Sequence, residues 1–135
     1  MTKNQGHLKA LGVDIGGSST KFCLIDNESK SILQTCTAPH KDGHGIDAIC
    51  SKIIQQIKEW KFEGSIGIGF PGIVKNHVIV DAPNLGKIWN GLDFKAYFRP
   101  HEIDVTSVLN DADAASIAMI EQSQDWTEHD VLCLT

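Results

Sequence analysis

Val13-Asp14-Ile15-Gly16-Gly17-Ser18-Ser19-Thr20-Lys21 decides how this 135-residue chain is read. Just upstream, Leu8–Ile15 is a short apolar run stopped by two glycines, which predicts a buried strand ending in a turn. Downstream, Thr20–Asp26 (TKFCLID) predicts a second strand, and the brief Gly/Ser link between the two predicts a hairpin. The G-x-x-x-x-G-K-[ST] spacing of a P-loop is absent, and a strand rather than a helix follows, so the stretch is not a dinucleotide fingerprint either. What remains is a carboxylate at a strand end, then glycines, hydroxyls and a lysine in a tight turn. That chemistry suits phosphate: Gly16 and Gly17 let backbone N–H groups approach an anion, and Ser18, Ser19, Thr20 and Lys21 add donors. Asp14 repels phosphate, so its place in such a site is to hold Mg²⁺, directly or through water. A plain Gly-Gly hairpin whose Asp accepts turn N–H bonds accounts for the same residues equally well.

Beyond the hairpin, Asp26-Asn27-Glu28-Ser29 is turn chemistry and Ser31–Ala38 predicts a third strand, giving an antiparallel meander. His40–Gly45 is a loop. Ile46, Ile49, Ile53, Ile57 and Trp60 recur at spacings of three and four, one face of a helix ending near Gly64. Ser65–Phe70 (SIGIGF) alternates small and apolar residues; Gly67 and Gly69 weaken a strand, so something close by is expected to exclude side chains there. Gly72–Asp81 predicts a hairpin around Lys75-Asn76-His77, and Phe94–Phe98 a short helix stopped by Pro100. Ile103–Leu109 predicts a strand. Asn110–Asp113 then caps a helix over Ala114–Gln122, with Ala115, Ala118 and Met119 on one face, and Asp130–Thr135 begins a last strand. No internal repeat or low-complexity segment is present. The expected fold class is α/β with a mixed sheet and flanking helices.

Apolar residues at 41% and charged residues at 21% are ordinary for a soluble domain. A net charge of −5, with lysines scattered singly, argues against a nucleic-acid partner. Cys23, Cys36, Cys50 and Cys133 form no C-x-x-C pair, which favours reduced thiols over a disulfide framework. No signal-peptide pattern opens the chain and no apolar run approaches the ~18 residues of a membrane span, so a cytoplasmic domain without membrane partners is expected.

DIGGSSTK between two strands resembles the first phosphate motif of the hexokinase/actin/chaperone superfamily. GIGFPGIV (Gly67–Val74), APNLGKIWNG (Ala82–Gly91) and VLNDADAAS (Val108–Ser116) resemble, in order and approximate spacing, the sugar-site segments of ROK-family kinases. Within that family, Gly17-Ser18 with the later Lys21, Phe before Pro, and NLGKIW are most similar to polyphosphate/ATP glucokinases. The resemblance runs from about Leu11 to Thr135. It implies an RNase H-like (actin-like ATPase) fold and phosphoryl transfer from ATP or polyphosphate to a hexose 6-hydroxyl. It further implies Asp111 as general base, sugar contacts from Asn84, Asn110 and Asp111, a pocket shaped by Pro71 and Gly72, and Asp14 with the Gly16–Lys21 turn serving phosphate and Mg²⁺. ROK kinases continue into a second glycine-rich phosphate motif, a Cys/His zinc cluster and a base pocket that residues 1–135 do not contain. The chain is therefore expected to be an N-terminal lobe, inactive alone, with the C-terminal lobe absent. ROK proteins are often dimers, which allows a homodimer for the full-length protein.

Each candidate also has a structural explanation. Asn110 or Asp111 can simply cap a helix. A helix N-terminus equally stabilises the ionised carboxylate that a base requires. Asn84 follows Pro83 in a loop, where Asn is common for turn reasons. Trp89 can wall a sugar face or merely pack. Asp113 reads as a first-turn charge. His40 and His44, as well as His77, His101 and His129, lack the companions of a metal site. Two functions follow: the lobe of a hexose kinase, or a non-catalytic sugar-binding or regulatory module on the same fold.

Overall fold

In the computed structural model, which describes residues 9–115, the chain runs β1 (Lys9–Ile15), β2 (Ser19–Asp26), β3 (Ile32–Pro39), α1 (Ile46–Glu59) and β4 (Ser65–Phe70). It continues through β5 (Ile73–Lys75), β6 (Val78–Asp81), α2 (Phe94–Phe98) and β7 (Val105–Asn110), with 3-10 turns at Lys87–Trp89 and Arg99–His101. Residues 111–115 are helical, the start of the helix expected over Ala114–Gln122. Ala118 and Met119 on that helix, the strand Asp130–Thr135 with Cys133, and His129 lie outside the described residues.

The meander forms as its short connections dictate. β1 pairs antiparallel with β2 and β2 with β3, while β4 lies parallel to β1 on the other side and β7 parallel to β4, giving the sheet order β3-β2-β1-β4-β7. The three parallel strands β1, β4 and β7 thus end side by side, at Ile15, Phe70 and Asn110. The β5–β6 pair is the expected hairpin, turned by Asn76 and His77, both at positive φ (51° and 66°), the backbone that a two-residue turn with right-handed twist demands.

One face of the sheet is apolar. Leu11, Val13, Ile15, Phe22, Ile66, Ile68, Phe70, Val105 and Val108 point into it and meet Ile49, Ile53 and Ile57 of α1 and Phe94 and Phe98 of α2. Each such side chain contributes about 1.5–3 kcal/mol when fully buried. α1 stops at Glu59, before Gly64, because Lys61 takes the left-handed position (φ 48°) that glycine usually fills. Phe62 N–H then bonds the Ile57 carbonyl and Lys61 N–H the Lys58 carbonyl, closing the helix end. Pro100 ends α2 but not the helical path, since its fixed φ fits the first turn of the 3-10 segment Arg99–His101.

Candidate active site

The carboxyl ends of parallel strands are where open α/β sheets bind ligands, and three of the four motifs from the sequence converge there. Asp14 is the penultimate residue of β1, the Phe70-Pro71-Gly72 turn follows β4, and Asn110-Asp111 closes β7. Asp14 is in register with Lys21 across the hairpin and with Gly69 across the β1–β4 pair. A Cβ built on Gly69 would stand 3.6 Å from Asp14 Oδ1 and 3.9 Å from Asp111 Cα, so the two carboxylate residues flank one glycine. Gly67 is more tightly faced, with Ser107 Oγ at 3.2 Å. The expectation that something excludes side chains along SIGIGF holds at Gly67 and not at Gly69, whose neighbours stand at ordinary van der Waals distances.

Above this floor lies a cleft of about 550 Å³, bounded by Gly12, Asp14, Lys21, Cys23, Gly67, Gly69, Asp111 and the alanines of the first helical turn. It occupies the sheet face opposite α1 and α2. Asp14 and Asp111 are exposed, and no ion pair ties Asp14 to Lys21 among the described residues. An exposed, unpaired carboxylate beside a second one suits a hard divalent cation whose remaining ligands are water or phosphate oxygens. No group of three metal-ligating side chains occurs among the described residues, so these residues supply at most this partial donor set.

The Gly16–Ser19 turn is held closed by Gly16 N–H donating to the Ser19 carbonyl at 2.8 Å. A Cβ on Gly16 would press that carbonyl at 3.0 Å, whereas one on Gly17 would meet nothing within 4 Å. Gly16 therefore serves the turn, and Gly17 leaves its outer side open to an incoming group. Ser18 is exposed and Ser19 half-buried. Thr20 departs from expectation. Its side chain is fully buried and its hydroxyl is paired with His40 Nε2 at 2.8 Å, so it anchors the turn instead of offering a donor to phosphate.

Asn110 also has work within the fold. Its Nδ2 donates to the Gly72 carbonyl at 2.7 Å, and its Oδ1 accepts from Ala112 N–H at 2.9 Å and Asp113 N–H at 3.3 Å. It caps the new helix and ties the Pro71-Gly72 turn to it, leaving Asp111 to project into the cleft. Asp111 Oδ1 itself accepts from Ala112 N–H at 2.8 Å, which orients the carboxylate. Gly72 has no alternative residue, because a Cβ there would fall 2.2 Å from the Asp81 carbonyl oxygen.

Asn84 is exposed in the turn after β6, and neither it nor Pro71 borders the cleft. Trp89 is fully buried, packed at tilted angles against Phe70 and Phe94 with its Nε1–H donating to the His44 carbonyl at 2.7 Å. It is a packing residue, its ring fully enclosed by the core. Sequence reading missed Gly12 and Cys23 as cleft residues and His40 as the turn's partner; only the β2–β3 register, with Ser19 opposite Pro39, brings His40 there.

In sequence and fold the chain is similar to known sugar kinases. Polyphosphate glucokinase of Mycobacterium tuberculosis (strain ATCC 25177 / H37Ra) is 26% identical over 120 residues, covering 79% of this chain and 41% of its own length. The inorganic polyphosphate/ATP-glucomannokinase of Arthrobacter sp. strain KM superposes with a TM-score of 0.73 at 26% identity, over 83% of this chain and 47% of that one. A ROK family glucokinase from Streptomyces griseus, solved in complex with glucose and AMPPNP, superposes with a TM-score of 0.66 at 26% identity, over 80% and 35% of the two chains. The expected actin-like ATPase fold of ROK sugar kinases is thus the fold observed, and the chain spans less than half the length of these relatives. The ROK family model matches residues 10–135, nearly the whole sequence, and the chain belongs to the ROK family.

Proposed function

We propose that this chain is the N-terminal lobe of a hexose kinase that transfers a phosphoryl group from ATP or polyphosphate to the 6-hydroxyl of glucose or a close relative. The observation that carries this reading is the flanking of Gly69 by Asp14 and Asp111 at the end of the sheet where the Gly16–Lys21 turn lies. The relatives of which this chain covers less than half are, by their names, a polyphosphate glucokinase and a polyphosphate/ATP-glucomannokinase.

In this reading the Asp111 carboxylate accepts the proton of the sugar hydroxyl as its oxygen attacks phosphorus, a contribution on the order of 10²–10⁴ in rate. Backbone N–H groups of the turn and Lys21 balance charge on the donor, and Asn110 contacts the sugar from the end of β7, while Asn84, outside the cleft, would meet only a sugar that extends beyond its border. Asp14 would hold Mg²⁺, which supplies charge neutralisation at the donor phosphates when bound. A second lobe must close over the cleft to bring donor and acceptor in line and exclude water. The test is a coupled assay of the full-length protein bearing this lobe, with glucose, Mg²⁺ and either donor. Turnover with one donor and none from residues 1–135 alone is the expected result. Full-length protein that binds glucose yet turns over neither donor would instead favour a sugar-binding module.

A further inference from the structure

We infer that His40 is a positioning residue for the phosphoryl donor, holding the Gly16–Ser19 turn in the form that receives it. This rests on the kinase reading above. His40 grips the turn at two residues, Ser18 and Thr20, from the side away from the cleft. Its backbone N–H donates to the Ser18 carbonyl at 2.8 Å, and its Nε2 pairs with the hydroxyl of Thr20 at 2.8 Å. Its Nδ1 is buried without a partner of good hydrogen-bond geometry, although the Gly17 backbone lies near enough to influence its protonation. Across the turn itself a single backbone bond, Gly16 to Ser19, is made. The loop that delivers His40 is in turn fixed to the core, because the His44 ring packs edge-on against His40 at 5.7 Å and the His44 carbonyl accepts from buried Trp89.

The physical need is clear. A glycine turn has many backbone states, and it binds an anion well only if its N–H groups are already aimed. The outer side of Gly17 is open, so nothing there restricts the turn before the donor arrives. Restriction comes from behind, through a hydroxyl that is fully buried and would be unsatisfied without the imidazole. Loss of the ring keeps the His40 N–H to Ser18 bond, so a substitution removes the side-chain clamp and leaves the backbone one.

The experiment uses the full-length protein and inorganic tripolyphosphate as the binding probe. Calorimetry gives its Kd, and steady-state kinetics give separate KM values for donor and for sugar. His40→Ala is expected to raise the tripolyphosphate Kd and the donor KM by roughly 3- to 10-fold, as one lost hydrogen bond would, with the sugar KM within about twofold. Thr20→Val should do the same without the imidazole being touched, and it serves where His40→Ala fails to fold. The double variant should be no worse than the worse single one, since both remove a shared interaction. His40→Gln, whose amide can reach the same hydroxyl, should recover most of the loss. Equal changes in donor and sugar KM, or unchanged tripolyphosphate binding in both single variants, would overturn the proposal while leaving the kinase reading standing. Wild-type protein that neither binds tripolyphosphate nor phosphorylates a hexose would overturn both.

Discussion

The two faces of the central sheet are made by the same strands and have opposite characters. Along β4, Ile66, Ile68 and Phe70 are buried beneath the helices, while Ser65, Gly67 and Gly69 face the other way. Along β1, Leu11, Val13 and Ile15 enter the core, and Gly12 and Asp14 face the cleft. Because side chains alternate at a period of two, one strand can hold a packed core on one set of positions and a bare, polar floor on the other. The lesson is a separation of tasks. Substitutions on the helix face should be felt as stability, and substitutions on the glycine face as activity.

The sharpest attempt to break that division is Asp111→Asn in the full-length protein. Asn keeps the size and remains a good helix-end residue, so the melting temperature should stay within what a change of well under ~1 kcal/mol produces. The proton-accepting charge is gone, so kcat should fall on the order of 10²-fold or more with the sugar KM much less affected. Retention of more than about a tenth of wild-type kcat would show that Asp111 is only a structural residue.

A matched pair on β4 comes next. Ile68→Ala opens a cavity under α1 and should cost about 2–5 kcal/mol by denaturant unfolding. Its neighbour Gly69 has only ordinary contacts where a Cβ would stand, so a side chain there can be accommodated by pointing it into the cleft. Gly69→Leu should therefore change stability by less than Ile68→Ala while lowering kcat/KM on the order of 10²-fold, since it wedges between Asp14 and Asp111. The reverse ranking would mean that the faces are assigned wrongly.

This alternation explains how much could be read from the sequence. The DIGG hairpin, the SIGIGF strand and the helix periodicity at Ile46–Ile57 are local patterns, and each reappears within a residue or two of its expected place. The positions that escaped depend on register or on an unusual residue. His40 reaches the turn only because β3 pairs with β2 as it does. Lys61 ends α1 in a conformation that sequence rules assign to glycine. Trp89 read more readily as packing than as a sugar wall, and the aromatic cluster with Phe70 and Phe94 shows it packed. Among the site residues, Asp14, Lys21 and Asp111 were legible and come together at the cleft, whereas Asn84 stays apart from it.

A smaller effect tests the support behind the glycine turn. Burial, the leading cause, lowers the His40 pKa below its ordinary 6.5; His44 adds to the lowering and the Gly17 backbone opposes it. The folded protein thus carries fewer protons on His40 than the unfolded chain does, and unfolding takes one up. Stability should be complete above about 6.5 and decline as pH falls from there through the lower folded pKa, by a slope of at most one proton. His40→Gln should flatten that part of the curve of melting temperature against pH. An unchanged slope in the variant would locate the titration elsewhere.

The mildest probe of the two faces uses cysteines that already sit on them. Cys23 on β2 is half-buried and borders the cleft, while Cys36, one strand over and opposite Phe22, packs toward the core side. Cys50 lies fully buried in α1, and burial first, then the charge of Asp47, pushes its thiol up to about 12. Only the thiolate reacts with an alkylating agent, so Cys50 should be modified more slowly than either strand cysteine by roughly tenfold or more at neutral pH. Site-resolved mass spectrometry after brief iodoacetamide treatment reads all three at once. Addition of Mg²⁺ with tripolyphosphate and glucose should slow labelling of Cys23 and leave Cys36 unchanged, because a ligand in the cleft covers one face of the sheet and not the other. Protection of Cys36 without Cys23 would place the ligand on the helix side, and with it would fall the assignment of the glycine face to chemistry.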